Sequence, residues 1–235
     1  MLQISVIIPV LNEGARVAST VEFLRREGGH FVSEIIVADG GSSDDTVARA
    51  DGAGAVVLHC PQKGRNFQMN FAAQKTTGNV LYFVHADTRP PCRYAHFIEE
   101  ALAQGVKIGN FRYCFDSDRF LLRINSWFTR WRFLFCQGGD KTLFVERALF
   151  QQLGGYAPEW IIMEEYDLLR RAKKAGFPFQ VLKPEALVSA RKYDHNSWLR
   201  VQLANFIVFN LWAWKLASPA ALKRIYTRLL NERFF

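Results

Sequence analysis

Three carboxylate-bearing segments have the residue types and spacing to do chemistry. In "NVLYFVHADTRPP" an apolar run ends on His85-Ala86-Asp87 and breaks at once on Thr88, Arg89 and two prolines. A carboxylate held out at such a tip suits a hard divalent cation, which prefers oxygen ligands; the competing reading is a turn aspartate before Thr88. In "ADGGSSDDT" (38–46), Gly40 and Gly41 let the backbone turn tightly and approach a ligand. Asp39 there offers a carboxylate to a ribose hydroxyl or a base edge, unless the loop only caps the next helix. In "MEEYDLLRRAKKAGF" (163–177), Glu164, Glu165 and Asp167 crowd a helix start, while Arg170, Arg171, Lys173 and Lys174 crowd its end. The helix dipole alone accounts for that order; a general base for an alcohol proton is the chemical reading.

The elements that must hold these residues are legible in the apolar pattern. Runs at 4–10, 34–39, 54–60 and 79–87 are β-branched or aromatic and of strand length. Helix-like stretches lie between them, at Glu13 to Arg26, Asp44 to Ala50 and Arg65 to Lys75, with Ser43 or Asp44 as N-cap of the second. Such alternation predicts an α/β domain with a mostly parallel sheet and helices on both faces. Open sheets of this kind bind ligands beyond the carboxyl ends of their strands. "PVLNE" (9–13), "ADGGSSDDT" and His85-Ala86-Asp87 all fall at such ends, which predicts one shared pocket. Further on, 106–115 and 141–146 read as strands and about Met163 to Ala175 as a helix ended by Gly176 and Pro178. The tail from Trp198 reads as two helices broken near Ser218-Pro219. No repeat or low-complexity linker divides the chain, so a single domain over 1–195 with a helical extension over 196–235 is expected.

Composition bounds the function. With 235 residues and 49% hydrophobic content the chain can build a sizeable core, and its net charge of +8 favours anionic partners. Cys60, Cys92, Cys114 and Cys136 are widely spaced, which argues for free thiols in a reducing cytosol rather than a zinc site or disulfide framework. "ISVIIPV" is too short and lacks the basic flank of a signal peptide. Trp198 to Ala217, the best membrane-span candidate, is interrupted by Arg200, Gln202, Asn205, Asn210 and Lys215. A dinucleotide fingerprint is missing after the first strand, and "QKGRNFQMN" lacks the Gly-Lys-Ser/Thr ending of a P-loop. Phosphates must therefore be neutralised by a metal or by basic side chains.

In combination, "SVIIPVLNE", "IIVADGGSSDDT", "GRNFQMN", "LYFVHADT", "GGDKTLFVERALFQQLGGY" and "MEEYDLLRRAKKAG" resemble the family 2 glycosyltransferases, in matching order from residue 4 to about 193. The likeness is to a bacterial branch with a His-Ala-Asp-Thr strand tip. It implies a GT-A fold, a nucleotide-binding half (1–115) and an acceptor half (116–195), and inverting transfer from a nucleoside-diphosphate sugar to an acceptor hydroxyl. Carried over, Pro9, Asn12, Glu13, Asp39 and Gly41 line the nucleoside pocket, with Arg65, Ala86, Asp87, Asp140 and Arg191 completing the nucleotide-sugar site. Asp87 matches the last carboxylate of the family's Asp-x-Asp motif and would hold Mn²⁺ or Mg²⁺; Glu164 and Glu165 match its Glu-Asp pair, the usual source of the base. This chain departs from the pattern twice. His85 replaces the first aspartate, as a second metal ligand suited to softer ions or as a support for Asp87. Glu165 stands where aspartate is commoner, which leaves either glutamate as the base.

The acceptor reading rests on "RFLLRINSWFTRWRFLFC" and "WLRVQLANFIVFNLWAWK", which mix aromatics with basic residues. One reading is a peripheral contact with an anionic membrane, at the inner face of the plasma membrane, and a lipid-linked acceptor. The other is core packing plus a homodimer face. An RNA-binding module is disfavoured, because no RNA-binding signature appears and acidic clusters would face the phosphates. A nucleotidyltransferase on a similar sheet and a lapsed nucleotide-binding relative are the remaining alternatives.

Overall fold

The computed structural model describes residues 1–137 and 141–230. Among these, β1 (Ile4–Val10), β2 (Val32–Asp39), β3 (Val56–His59), β4 (Val80–Phe83), β5 (Thr88–Arg89), β6 (Ile108–Phe115), β7 (Leu143–Glu146) and β8 (Gln180–Val188) form one sheet in the order β3-β2-β1-β4-β7-β6-β8-β5. The first four strands pair in parallel. Beyond β4 the sheet is mixed: β7 runs antiparallel to β4 and β6, β6 is parallel to β8, and β5 is antiparallel to β8.

The near-continuous apolar runs of β1 and β4 follow from burial on both faces. Ile4, Val6, Ile8 and Val10 share one core with α1 (Gly14–Gly28), α2 (Thr46–Gly52) and Tyr94, Ala95, Ile98 and Ala101 of α4 (Tyr94–Ala103). Ile7, Leu81 and Phe83 point the other way, into a core with α3 (Arg65–Lys75), α6 (Arg147–Gln152) and α7 (Glu164–Lys174). A period of two thus splits each strand between two helical layers.

Several boundaries differ from the sequence reading. The strand expected over 79–87 stops at Phe83, and His85-Ala86-Asp87 lies beyond it in a turn. Thr88-Arg89, expected only to break the chain, is a short strand paired with Val188 and Leu187. That pairing carries Ser189–Arg191 alongside Asp87, with Ser189 N donating to Asp87 O at 3.2 Å. The helix expected from Asp44 is capped at Asp45 without a side-chain bond. Asp44 instead accepts from Thr46 N and Gly14 N, at 3.0 and 3.1 Å.

The tail does form two helices, α9 (Trp198–Ala213) and α10 (Pro219–Leu229), after the short α5 (Phe120–Phe128) and α8 (Lys192–His195). Ser197 and Ser218 cap them by accepting from Arg200 N and Ala221 N, and Pro219 occupies the first turn, where its missing N–H costs nothing. Phe115, Leu122, Val188 and Tyr193 share a cluster with Val201, Ala204 and Leu230, so the helix pair packs on the sheet half. No helix of the described residues is long and apolar enough to cross a membrane. The cysteines are free thiols.

Candidate active site

Parallel pairing sets Val10 opposite Asp39, so the tips of β1 and β2 emerge together. The loops beyond them interlock. Asn12 adopts a left-handed φ of 55°, its N donates to Ser42 Oγ at 2.9 Å, and its Oδ1 accepts from Ser43 N at 2.8 Å. Glu13 N donates to Thr46 Oγ1 at 2.8 Å. Asp39 is 2% exposed and accepts from Gly41 N at 3.1 Å and Ser42 N at 3.0 Å. Gly41 sits at φ +93°, which only glycine adopts without strain. Asp39 and Asn12 therefore shape the loop. Pro9 lies half-buried in β1 just before it.

Gln68, on α3, was not singled out by the sequence reading. Its Nε2 donates to Val10 O at 2.8 Å and Ala38 O at 2.7 Å, tying the two strand tips from below. A Cβ on Gly40 would come within 3.0 Å of that amide. Gly40 thus permits close approach of Gln68, where a ligand had been expected. The available signal was a polar residue buried between Met69 and Asn66 on the inner face of α3.

The His85-Ala86-Asp87 turn is closed by Thr88 N donating to His85 O at 3.1 Å and held by Thr20 Oγ1 donating to Ala86 O at 2.8 Å. Arg191 reaches across it. Its guanidinium binds Glu13 through both nitrogens, at 2.7 and 3.3 Å, and its Nη2 stands 3.0 Å from Asp87 Oδ2. On the other flank His85 Nε2 is 4.0 Å from Glu165 Oε1. Arg65, at the start of α3, donates through Nε to Glu164 Oε1 at 2.5 Å and lies 3.5 Å from Glu165 Oε2. Contacts thus run from Glu13 through Arg191 to Asp87, and from His85 next to it through Glu165 to Arg65 and Glu164.

The two glutamates differ sharply in setting. Glu164 is 0% exposed, and its Oε2 has no hydrogen-bond partner among the described residues. Glu165, though mostly buried, lines a cavity with Arg65. Asp167 is engaged by Arg170 at 2.9 Å and Arg171 at 2.7 Å, and Arg171 also donates to Gly155 O at 2.7 Å. These basic residues therefore serve the fold as well as the helix dipole.

Asp87 and Glu13 together hold the Arg191 guanidinium between them. No group of three or more His, Cys, Asp or Glu gathers as a metal cage among the described residues. That donor set fits a hard ion that takes one or two protein carboxylates and draws its other ligands from phosphate and water. Asp140 lies outside the described residues. Next to it in sequence, Lys141 is buried and donates to Thr129 O and to Gln137 Oε1, both at 2.9 Å. Burial pulls its pKa down to about 7.

An α/β sheet with acidic tips gathered on one rim is the architecture of GT-A nucleotide-sugar enzymes, and solved structures of that kind superpose on this chain. Glucosyl-3-phosphoglycerate synthase from Mycobacterium tuberculosis, solved with Mn²⁺, UDP and glucosyl-3-phosphoglycerate, matches with a TM-score of 0.62 over 89% of this chain and 79% of that one, at 20% identity. The mannosyltransferase PcManGT from Pyrobaculum calidifontis, solved with GDP-Man and Mn²⁺, matches with a TM-score of 0.69 over 95% of this chain and 67% of that one, at 17% identity. Residues 5–150 match the model of glycosyl transferase family 2, and the chain belongs to that family. Glucosyl-3-phosphoglycerate synthase of Mycolicibacterium smegmatis is 38% identical over 96 residues, covering 37% of this chain and 32% of that protein. A PGL/p-HBAD biosynthesis glycosyltransferase of Mycobacterium bovis is 28% identical over 184 residues, covering 69% of this chain and 66% of that protein. The sequence match therefore spans about a third of the length of the Mycolicibacterium smegmatis synthase.

Proposed function

We propose that this chain transfers a sugar from a nucleoside-diphosphate sugar to an acceptor hydroxyl, inverting the anomeric carbon. The observation that carries this reading is the rim itself: Asp87 and Glu165, from distant segments, are joined to Glu13, Glu164 and each other's neighbourhood through Arg191, His85 and Arg65. Pro9, Asn12, Glu13, Asp39 and Gly41 form the nucleoside side of the site, within the 1–115 half. Asp87 would hold Mn²⁺ or Mg²⁺, with Ala86 beside the diphosphate; the ion would supply Lewis-acid stabilisation of charge on the leaving group. Structural neighbours solved with Mn²⁺ and UDP or GDP-Man support that choice of ligands.

Glu165 is the base in this reading. It faces the cavity, whereas Glu164 is sealed beneath Arg65. As the acceptor oxygen bonds to the anomeric carbon, the bond from that carbon to the diphosphate oxygen breaks, and the hydroxyl proton passes to Glu165. Base assistance of this kind is worth about 10²–10⁴-fold. His85, with Nε2 4.0 Å from Glu165 Oε1, is the second candidate metal ligand. Arg191 neutralises the departing diphosphate from the segment that β5 draws against Asp87.

The acceptor half, 116–195, and the helices after it present the membrane-facing side. Phe120, Phe133, Phe135, Leu199, Phe206 and Trp214 are each more than half exposed, and Arg119, Arg123, Arg130 and Arg132 are interspersed with them in sequence. Apolar side chains with basic residues between them in sequence suit an anionic bilayer surface on the cytoplasmic side, where a lipid-linked acceptor would be met. Flotation with anionic liposomes tests this: protein left at the bottom rejects the membrane face in favour of a homodimer, which sedimentation would then show. The reaction is tested by thermal-shift screening of nucleotide-sugars with and without Mn²⁺, followed by product analysis. Release of UDP or GDP supports sugar transfer; release of pyrophosphate points to a nucleotidyltransferase. Binding without turnover of any donor would mark a lapsed relative.

A further inference from the structure

A cavity of about 750 Å³ opens beside the rim, walled by α5, the start of α7 and the α9–α10 pair. Its size lies in the range of ordinary small-molecule sites. Glu165 and Arg65 form part of its wall, and Phe128, Phe135, Trp198, Phe206 and Phe209 supply much of the rest. Phe206 is 67% exposed and Phe135 56% exposed, so the cavity reaches the surface through an aromatic mouth.

Several polar side chains in this wall are bonded to one another. Trp198 Nε1 donates to Asn125 Oδ1 at 3.2 Å, and Asn125 Nδ2 and Gln202 Nε2 both donate to Tyr193 OH, at 3.1 and 3.3 Å. The cations in the wall, among the described residues, are Arg65 and Lys192. Arg65 is bound to Glu164, and Lys192 Nζ donates to Tyr226 OH at 2.6 Å. A phosphorylated or carboxylated acceptor entering here would meet the Glu165 carboxylate and cations already engaged, and would lose its hydration against aromatic rings.

We propose that this cavity is the acceptor subsite and that it takes an uncharged hydroxyl carried on an extended apolar body, such as an alkyl or isoprenoid chain. The α9–α10 pair is then the specificity wall, with Phe206 at the entrance and Gln202 inside. The proposal rests on the sugar-transfer reading only for the role of Glu165.

Calorimetric titration of the full chain with methyl, hexyl and decyl β-D-glucoside, below micelle formation, and with 3-phosphoglycerate tests it without a known donor. Burying a methylene strengthens binding up to about fourfold, so affinity should rise at least about tenfold from hexyl to decyl, with 3-phosphoglycerate binding more weakly than either. Gln202→Trp, which fills the cavity, should abolish decyl glucoside binding, whereas Leu216→Ser, on the exposed surface outside it, should leave binding unchanged. No chain-length dependence, tighter 3-phosphoglycerate binding, or loss in Leu216→Ser with retention in Gln202→Trp each overturns the proposal. Nucleotide binding with Mn²⁺, measured on the same samples, reports separately on the sugar-transfer reading.

Discussion

Replacing Arg65 by Met should destabilise the protein through Glu164 and far less through anything Arg65 itself buries. Glu164 is fully buried and its Oε1 receives Arg65 Nε at 2.5 Å. At an effective dielectric near 20, opposite unit charges 4 Å apart attract by about 4 kcal/mol, and this pair is no farther apart than that. Removing one partner of a buried pair typically costs about 3–5 kcal/mol, because the other charge is left uncompensated. Arg65 is 32% exposed in its side chain, so water screens part of the attraction and about 2–4 kcal/mol is the better expectation. Glu164→Gln alone should cost less, since it removes the charge whose Oε2 is already without a hydrogen-bond partner among the described residues. The double variant should therefore recover most of the Arg65→Met loss, leaving only the part due to Glu165, 3.5 Å from Arg65. Guanidinium unfolding of all four proteins, at constant m-value, gives the coupling energy. A loss below about 0.5 kcal/mol for Arg65→Met, or a double variant no better than Arg65→Met, would refute the claim that Glu164 is a sealed structural charge.

Three further outcomes follow from the same geometry. Glu165→Gln should cut turnover about 10²–10⁴-fold with donor binding nearly unchanged; a larger kinetic defect in Glu164→Gln would transfer the base role to Glu164. Asp87→Ala should lose the extra thermal stabilisation that Mn²⁺ gives a bound nucleotide while its far-ultraviolet dichroism stays native, and an undiminished Mn²⁺ effect would remove Asp87 from the site. Burial lowers the Lys141 pKa to about 7 from its ordinary 10.5, so between those values the unfolded chain binds the proton more tightly than the folded one. Stability should then rise as pH increases from about 7 towards 10, by about 1.4 kcal/mol per pH unit. Lys141→Met should flatten that rise, and an identical pH profile in the variant would show that Lys141 titrates normally.

The strands and the polar tips were legible in the residues because both are local signals. β1 and β4 are short apolar runs with a period of two between two helical layers, and Gly-Asp-Ser-rich turns follow strands wherever a chain must leave a sheet. The family motifs are strings of neighbouring residues and could be read in order. Pairing was harder: Thr88-Arg89 looks like a chain break, and only its partnership with Val188 and Leu187 makes it a strand.

What folding alone decided is which polar groups meet. Arg191 binds Glu13 across 178 positions of sequence and Arg65 binds Glu164 across 99. No local pattern encodes such pairs, because each depends on where separate elements end in space. The equivalence of Glu164 and Glu165 in sequence also ends here: adjacent residues on a helix point about 100° apart, so one is sealed against Arg65 and the other faces a cavity. That cavity's own walls come from segments that carry no shared motif, which is why its chemistry becomes visible only once the helices of the tail pack beside the rim.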